Sequence, residues 1–197
     1  MWEKRYATDT YVFGKAPAVF LVDHKALLTP GQTALAVADG EGRNSVYMAA
    51  QGMDVTALEF SASAIEKAKS LAAETGVTVD FRNTDVLAHD WPDQYDMVVG
   101  IFIQFVGPEE RARMFDGMKR SVRPGGLMVL HGYTPKQVEL GTGGPGRTEN
   151  MYTPDQLAAD FKGWEILENR AYEREIQEGA GHSGLSALID FVARKPA

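Results

Sequence analysis

Short apolar runs alternate with helical patterns along residues 33–133, and this alternation limits the chain to a small set of folds. The runs are short, partly β-branched and bounded by turn residues, which is typical of buried parallel strands. Strands that alternate with helices pack as right-handed βαβ units, so the sequence predicts an α/β fold with a doubly wound, mostly parallel sheet. The five predicted strands lie at 33–38, 54–60, 77–81, 95–102 and 126–133.

Two of the intervening helices have recognisable ends. Ser63 and Glu66 have the spacing of a capping box, and Gly76 is placed to end the same helix. The next long helix is predicted to begin at Pro108, with acidic residues near its start and basic residues near its end. That order of charges favours the helix dipole.

The pattern changes after residue 133. A long glycine-rich segment over 134–150 is typical of a lid or binding loop, and a short helix with Thr153 as its N-cap follows it. Two further strand patterns then occur with no helix between them, and residues 185–193 alternate cleanly between apolar and other side chains. These two segments are predicted to form an antiparallel pair at the sheet edge, which gives seven strands.

Composition excludes several classes of function. The 197 residues are enough for one core, so a single domain over 1–197 is predicted. The net charge of -7 repels phosphate backbones, so we expect no nucleic-acid partner. The absence of cysteine excludes disulfides, thiolate catalysis and cysteine-based zinc sites, and the four histidines lack metal-site spacing. With no leader-like or membrane-spanning pattern either, we expect a cytoplasmic protein without a metal or membrane partner.

The first predicted strand runs into a glycine-rich turn, GEGRNS at 40–45, which approximates G-x-G-x-x-G with serine in the place of the third glycine. Such a turn at a helix start lets backbone N–H groups approach a charged ligand. Asp39 and Glu41 would repel the pyrophosphate of a dinucleotide, although Arg43 could compensate. S-adenosylmethionine brings a sulfonium and an ammonium group instead, so the charge of the turn favours this cofactor.

Two acidic residues further along the chain are placed to hold a nucleoside. Glu59 ends the second predicted strand, where a carboxylate accepts hydrogen bonds from ribose hydroxyls. Asp85 follows the third strand, where it can accept a hydrogen bond from an adenine amino group beside the N–H of Val86. The predicted cofactor-binding residues are Tyr11, Gly40, Glu41, Gly42, Arg43, Asn44, Glu59, Phe60, Ser61, Asp85, Val86 and Ile101.

The order of these features resembles class I S-adenosylmethionine-dependent methyltransferases, with RPGG before the fifth strand as a further match. More narrowly, RYATDTYVFGKAP, GEGRNSVYMA, LGTGGPG and EGAGHSG resemble the small bacterial tellurite-resistance (TehB-type) methyltransferases. The resemblance implies a Rossmann-like, seven-stranded sheet with an antiparallel last strand. The chain departs from the family at Ala36 and Ala38, where an acid and a glycine are usual, and at Gln104, where related chains often carry histidine.

The predicted reaction is the in-line transfer of a methyl group from S-adenosylmethionine to a small-molecule or oxyanion acceptor. The predicted catalytic residues are His182, Gln104 and Tyr133, which follow strands or lie in a late glycine-rich loop. Residues 1–25 are expected to cap the site, since aromatic rings there can cover a sulfonium. His24 and His89 are interpreted as surface residues.

Two alternative functions remain open. A non-catalytic protein that binds S-adenosylmethionine or S-adenosylhomocysteine would account for the altered residues Ala36 and Ala38. A nicotinamide-dependent oxidoreductase would use the same kind of glycine turn, but the turn is acidic and no Tyr-x-x-x-Lys pair is apparent. The chain is expected to act as a monomer or weak homodimer on a small molecule.

Overall fold

A seven-stranded sheet forms the centre of the fold in this computed structural model, which describes residues 2–179 and 182–197. The strands are β1 Thr33–Val37, β2 Asp54–Glu59, β3 Asp80–Asn83, β4 Tyr95–Ile101, β5 Val122–Tyr133, β6 Glu165–Glu178 and β7 His182–Arg194. Their order across the sheet is β3-β2-β1-β4-β5-β7-β6. Strands β1 to β5 pair in parallel, and β7 lies antiparallel to both β5 and β6. The predicted fold class is therefore confirmed.

Seven α-helices accompany the sheet in the described part of the chain. They are α1 Trp2–Tyr6, α2 Val19–Asp23, α3 Arg43–Ala50, α4 Ala62–Thr75, α5 Pro108–Ser121, α6 Gln137–Leu140 and α7 Pro154–Asp160. Short 3-10 turns lie at Lys25–Leu27 and Thr148–Asn150. None of the helices in the described residues combines the length and the apolar character of a membrane span.

Alternate residues of β1 belong to two different apolar cores, one on each face of the sheet. Leu35 and Val37 pack with the cluster that contains Phe115 of α5, whereas Ala34 and Ala36 pack with the cluster that contains Met48 of α3. Apolar residues on both faces are typical of a parallel strand that is covered by helices on either side. The sheet is therefore buried at its centre, and only the ends of its strands are available to form a site.

Two predicted details of the helix–strand boundaries are wrong. Helix α4 is capped by Ser61, whose hydroxyl accepts a hydrogen bond from the Ala64 N–H at 3.1 Å, so Ser63 lies inside the first turn and no Ser63–Glu66 capping box forms. Strand β3 begins at Asp80 rather than at residue 77, because the Val77 N–H donates to the carbonyl of Ala72 and still belongs to the end of α4.

The cap assignment can be tested with two serine variants. Both hydroxyls donate to the carboxylate of Glu3, but Ser61 alone accepts from the start of α4. We expect Ser61→Ala to lower the free energy of unfolding by about 1 kcal/mol more than Ser63→Ala, the typical cost of a lost N-cap. Urea unfolding of both variants measures the difference, and equal losses would show that Ser61 is not the cap.

Candidate active site

A cavity of about 770 Å³ opens at the carboxyl ends of β1, β2, β4 and β5. This is the edge at which open parallel sheets bind ligands. Twelve of the predicted site residues line it: Gly40, Glu41, Arg43, Asn44, Glu59, Phe60, Asp85, Val86, Ile101, Gln104, Tyr133 and His182. Tyr11, Gly42 and Ser61 are not part of its wall. The structure thus brings most of the predicted cofactor and catalytic residues into one space.

The glycine turn is held in shape by the acid that precedes it. The carboxylate of Asp39 accepts hydrogen bonds from both the N–H and the hydroxyl of Ser45, which closes the turn onto the start of α3. Burial raises the pKa of Asp39 to about 6, and the hydrogen bonds from Ser45 oppose that rise. Asp39 therefore orders the turn although Ala36 and Ala38 replace the usual acid and glycine.

Glu59 closes the other side of the turn. Its two carboxylate oxygens accept hydrogen bonds from the Gly40 and Ser61 N–H groups, each at 2.8 Å. Burial raises the pKa of Glu59, while these backbone donors act in the opposite direction. Each carboxylate oxygen has two lone pairs, so both oxygens can still accept a hydrogen bond from a ligand.

The N-terminal segment is attached to the glycine turn and to α4 by three of the predicted cofactor-binding residues. Glu41 accepts a hydrogen bond from the Val12 N–H at 2.8 Å and pairs with Lys67 Nζ at 2.7 Å. The Tyr11 hydroxyl donates to the Lys67 carbonyl, and the Ser61 hydroxyl donates to Glu3. These contacts assign Glu41, Tyr11 and Ser61 to holding the segment over the cavity.

A buried ion pair joins the glycine turn to the end of β6. Arg43 Nη1 lies 2.8 Å from Glu178 Oε2, and both side chains are less than a tenth exposed. The other Glu178 oxygen accepts a hydrogen bond from the N–H of Val19, the first residue of α2, at 2.9 Å. The pair therefore connects the glycine turn, the N-terminal segment and the β6–β7 hairpin.

The end of β5 is held by Gln104, which follows β4. Its side-chain oxygen accepts from the Tyr133 N–H and its amide nitrogen donates to the Tyr133 carbonyl, both at 2.7 Å. A side-chain amide does not ionise near neutral pH, and both polar ends of this one are bonded to the backbone of β5. Gln104 therefore corresponds to a positioning residue rather than to the catalytic residue expected from the sequence.

His182 lies between two aromatic rings at the start of β7. Its ring centroid is 4.5 Å from that of Phe13 and 4.2 Å from that of Phe102, and its Nδ1 is hydrogen-bonded to the Tyr133 hydroxyl. Burial, together with the smaller effect of the positive charges of Arg43 and Arg5, lowers the pKa of His182 to about 3. The ring is therefore neutral at any working pH. Two neighbours in EGAGHSG, Ala180 and Gly181, lie outside the described residues.

The neutral state of His182 predicts a dependence of stability on pH. The unfolded chain takes up a proton near pH 6.5, whereas the folded ring stays neutral down to about pH 3, so stability is lost as pH falls below 6.5. Between pH 6.5 and 5 this residue accounts for a loss of about 1–2 kcal/mol. We expect His182→Phe, which keeps an aromatic ring, to remove that part of the slope in urea unfolding. An unchanged slope in this variant would contradict a buried neutral histidine.

Several residues of the cavity wall were not among the predicted site residues. They are Trp2, Arg5, Tyr6, Phe13, Ala38, Asp39, Thr84, Phe102, Phe105, Val106, Gly107, Glu110, Gly144, Pro145, Arg147 and Asn150. Phe102 directly follows β4, and that position could have indicated it from the sequence. In the structure it has a φ of 56°, an unusual value for a large side chain. Arg147 and Asn150 lie in the predicted lid segment, whose path over the site is set by tertiary contacts.

Two histidines interpreted as surface residues are partly buried. His24 Nε2 lies 2.7 Å from Glu168 Oε2, and its ring stacks on Phe20. With Asp190 these groups come within 4.8 Å of one another, but Arg170 lies 3.3 Å from Asp190 and already supplies positive charge. His89 packs edge-on against Trp91, with centroids 5.1 Å apart. Both residues therefore have packing or ion-pair roles outside the cavity.

Comparison with known proteins finds a family that is similar to the central part of the chain. A family of methyltransferase domains matches residues 34–126, which contain the glycine turn, Glu59 and Asp85. The segments before residue 34 and after residue 126 lie outside this match and supply the N-terminal segment, the 134–150 loop and the β6–β7 hairpin around the cavity.

Two curated relatives are similar in sequence to this chain. A ubiquinone biosynthesis O-methyltransferase of Pseudomonas paraeruginosa is 32% identical over 111 residues, 55% of this chain and 47% of that protein. A probable S-adenosyl-L-methionine-dependent methyltransferase, TehB of Haemophilus influenzae, is 23% identical over 150 residues, 75% of this chain and 51% of that protein. The chain spans about half the length of these curated relatives.

Solved structures share its fold. The crystal structure of TehB from Haemophilus influenzae has a TM-score of 0.74 at 20% identity and covers 98% of this chain and 65% of its own. The crystal structure of N-methyltransferase NodS from Bradyrhizobium japonicum, in complex with S-adenosyl-l-homocysteine, has a TM-score of 0.74 at 14% identity. The match covers 100% of this chain and 97% of the NodS chain. Together with the family match, these findings confirm the predicted fold and the predicted resemblance to S-adenosylmethionine-dependent methyltransferases.

Proposed function

We propose that the chain transfers a methyl group from S-adenosylmethionine to a small-molecule or oxyanion acceptor by in-line displacement. Residues 1–197 would act as one domain, in which the segment 1–25 covers the cavity and the loop 134–150 acts as a lid. The observation that carries this proposal is that a single cavity is lined by Glu59 and Asp85 together with Tyr133 and His182.

The cavity wall fits the charges of the cofactor. S-adenosylmethionine carries a sulfonium, an ammonium and one carboxylate, and the wall near the glycine turn holds several acids beside one arginine, Arg43. Glu59 would accept hydrogen bonds from ribose hydroxyls, and Asp85 with the Val86 N–H would hold the adenine edge. Phe60, which is 62% exposed and lines the cavity, offers a flat face for the base.

The residues at the other end of the cavity would position the acceptor. When bound, the cofactor supplies an electrophilic methyl group, so the protein mainly aligns and desolvates the nucleophile. Alignment alone contributes on the order of 7–11 kcal/mol to such reactions. A histidine with a pKa of about 3 is a poor proton acceptor at neutral pH, so His182 would orient the acceptor through a hydrogen bond. This arrangement suits an acceptor that arrives already deprotonated.

Formation of S-adenosylhomocysteine with a panel of thiolates, phenolates and oxyanions tests the proposal. We expect turnover of at least one acceptor, and a 10- to 100-fold lower kcat for His182→Phe with the affinity for S-adenosylhomocysteine kept. His89→Phe is the matched control, because His89 lies outside the cavity. Cofactor binding without turnover of any acceptor would favour the non-catalytic binding protein instead.

A further inference from the structure

The acceptor end of the cavity is lined by aromatic side chains that contact one another. The Phe102 centroid lies 4.9 Å from that of Tyr133 and 4.2 Å from that of His182, and Phe13 continues the row 4.5 Å from His182. Trp2 follows 6.4 Å from Phe13. Such a wall makes favourable offset or edge contacts with a flat aromatic ligand. It offers few contacts to a small inorganic oxyanion, which presents only polar atoms.

Charge is divided between the two ends of this cavity. Four of the five acids in the wall, Asp39, Glu41, Glu59 and Asp85, lie at the glycine turn and after β2 and β3, where the cofactor would bind, and the fifth, Glu110, lies in the first turn of α5. The two exposed arginines in the wall are Arg5 and Arg147, and neither has a carboxylate within 4.0 Å among residues 2–179 and 182–197. Arg5 belongs to α1, whose Tyr6 lies beside Gly40 of the glycine turn, whereas Arg147 belongs to the 134–150 loop, where an anionic group on the acceptor would meet its positive charge.

Arg5 contacts the aromatic wall directly, and Arg147 belongs to a loop that is bonded to the strand carrying His182. The Arg5 guanidinium lies 4.9 Å from the Trp2 ring centroid and 5.1 Å from that of Phe13. Arg147 belongs to the loop that follows Gly143, and Gly143 pairs through its backbone with His182. The Thr142 hydroxyl also donates to the Leu185 carbonyl of β7. The loop is thus fixed to the strand that carries His182, which places Arg147 at the acceptor end.

We propose that the acceptor is a flat aromatic molecule that bears a soft anionic nucleophile and a second anionic group, and that Arg147 binds this second group. The inference rests on the proposed methyltransferase function and narrows its acceptor class. An arginine binds a carboxylate with two parallel hydrogen bonds, a geometry that also orients the ring to which the carboxylate is attached. Phe13 and Phe102, which line the cavity on either side of His182, then contact the aromatic ring, and His182 directs the nucleophile toward the cofactor end.

The transfer balances without a further reactant. A lone pair of the acceptor's thiolate sulfur forms the new bond to the methyl carbon, and the bond between that carbon and the donor sulfonium breaks. Its electron pair stays on the donor sulfur, which becomes the neutral thioether of S-adenosylhomocysteine. The aromatic thiolate is already deprotonated, so no proton has to leave during the step and no oxidant or reductant takes part.

Four acceptor molecules test separately whether the aromatic ring and the second anionic group are recognised. 4-Mercaptobenzoate carries the ring, the thiolate and the carboxylate; thiophenol lacks the carboxylate, 3-mercaptopropionate lacks the ring, and selenite lacks both. We expect kcat/KM for 4-mercaptobenzoate to exceed that of each of the others by 10- to 100-fold. Selenite or 3-mercaptopropionate reacting equally well or better would overturn the proposal.

Arg147→Gln tests whether Arg147 binds the carboxylate. Arg113→Gln is the control, because Arg113 is exposed and lies outside this cavity. We expect Arg147→Gln to lower kcat/KM for 4-mercaptobenzoate 10- to 100-fold and to change that for thiophenol less than twofold. Calorimetric binding of 4-mercaptobenzoate to protein loaded with S-adenosylhomocysteine should weaken by the same factor. In protein that binds S-adenosylhomocysteine, equal binding of 4-mercaptobenzoate and thiophenol, or equal effects of the two variants, would refute the inference. If the wild-type protein did not bind S-adenosylhomocysteine, the proposed function itself would be refuted.

Discussion

Gly42→Ala is expected to lower the free energy of unfolding by about 2–5 kcal/mol and to abolish detectable cofactor binding. Gly42 has a φ of +86°, and a Cβ there would lie 2.6 Å from the Cβ and 2.8 Å from the Cα of Ala68 in α4. Neither atom is the flexible end of a side chain, so α3 and α4 would have to separate. Because α3 begins directly after Gly42, the glycine turn would move with it.

Gly76→Ala is the matched control for this prediction. Gly76 also has a positive φ, +75°, but a Cβ at that position meets nothing within 4 Å. It should therefore show only the backbone cost, about 1–2 kcal/mol, and bind the cofactor normally. Urea unfolding and calorimetry of both variants measure the difference. Equal losses of stability, or normal cofactor binding by Gly42→Ala, would show that the close approach of the two helices is unimportant.

Arg43→Met should destabilise the protein by about 3–5 kcal/mol, because it leaves the Glu178 carboxylate buried without its positive partner. Both side chains of the pair are less than a tenth exposed. We expect the double variant Arg43→Met with Glu178→Leu to recover much of this loss, since it removes both charges together. Urea unfolding measures the loss in the free energy of unfolding. The N-terminal segment should also be held less firmly in Arg43→Met.

The exposed pair of Lys15 and Glu74 provides the control for Arg43. Its atoms lie 2.6 Å apart, but the two side chains are 47% and 57% exposed. Lys15→Met should therefore change the free energy of unfolding by less than about 1 kcal/mol. If Arg43→Met were as mild as Lys15→Met, or if the double variant were no more stable than Arg43→Met, the buried pair would not couple the turn to the β6–β7 hairpin.

Features that depend on neighbours in the chain could be predicted from the sequence. The order of strands and helices follows from apolar runs and turn residues, and Glu59 follows from its place at the end of β2. Gly76 ends α4 in a left-handed conformation, as glycine favours at that position. Pro108 and Thr153 mark the starts of two helices for equally local reasons.

Features that depend on residues far apart in the chain could not be predicted in the same way. Glu41 has the spacing of a ligand-binding residue, yet its carboxylate binds Lys67 and the backbone of Val12. The row of aromatic rings around His182 forms only when β5, β7 and the N-terminal segment meet. The alternation over 185–193 identifies a strand, but residues 186–193 of β7 are all buried because both faces are covered: Phe191 packs into one apolar cluster and Val192 into the other.

Binding of the cofactor is the central claim, and calorimetric titration with S-adenosylmethionine, S-adenosylhomocysteine and NADH tests it most directly. The wild-type protein should bind the first two ligands and not NADH, and Glu59→Gln should weaken both by about 10- to 100-fold. Glu66→Gln, at a carboxylate that is 73% exposed on α4, should change neither affinity. Binding of NADH without S-adenosylmethionine, or equal affinities in Glu59→Gln and Glu66→Gln, would contradict the account.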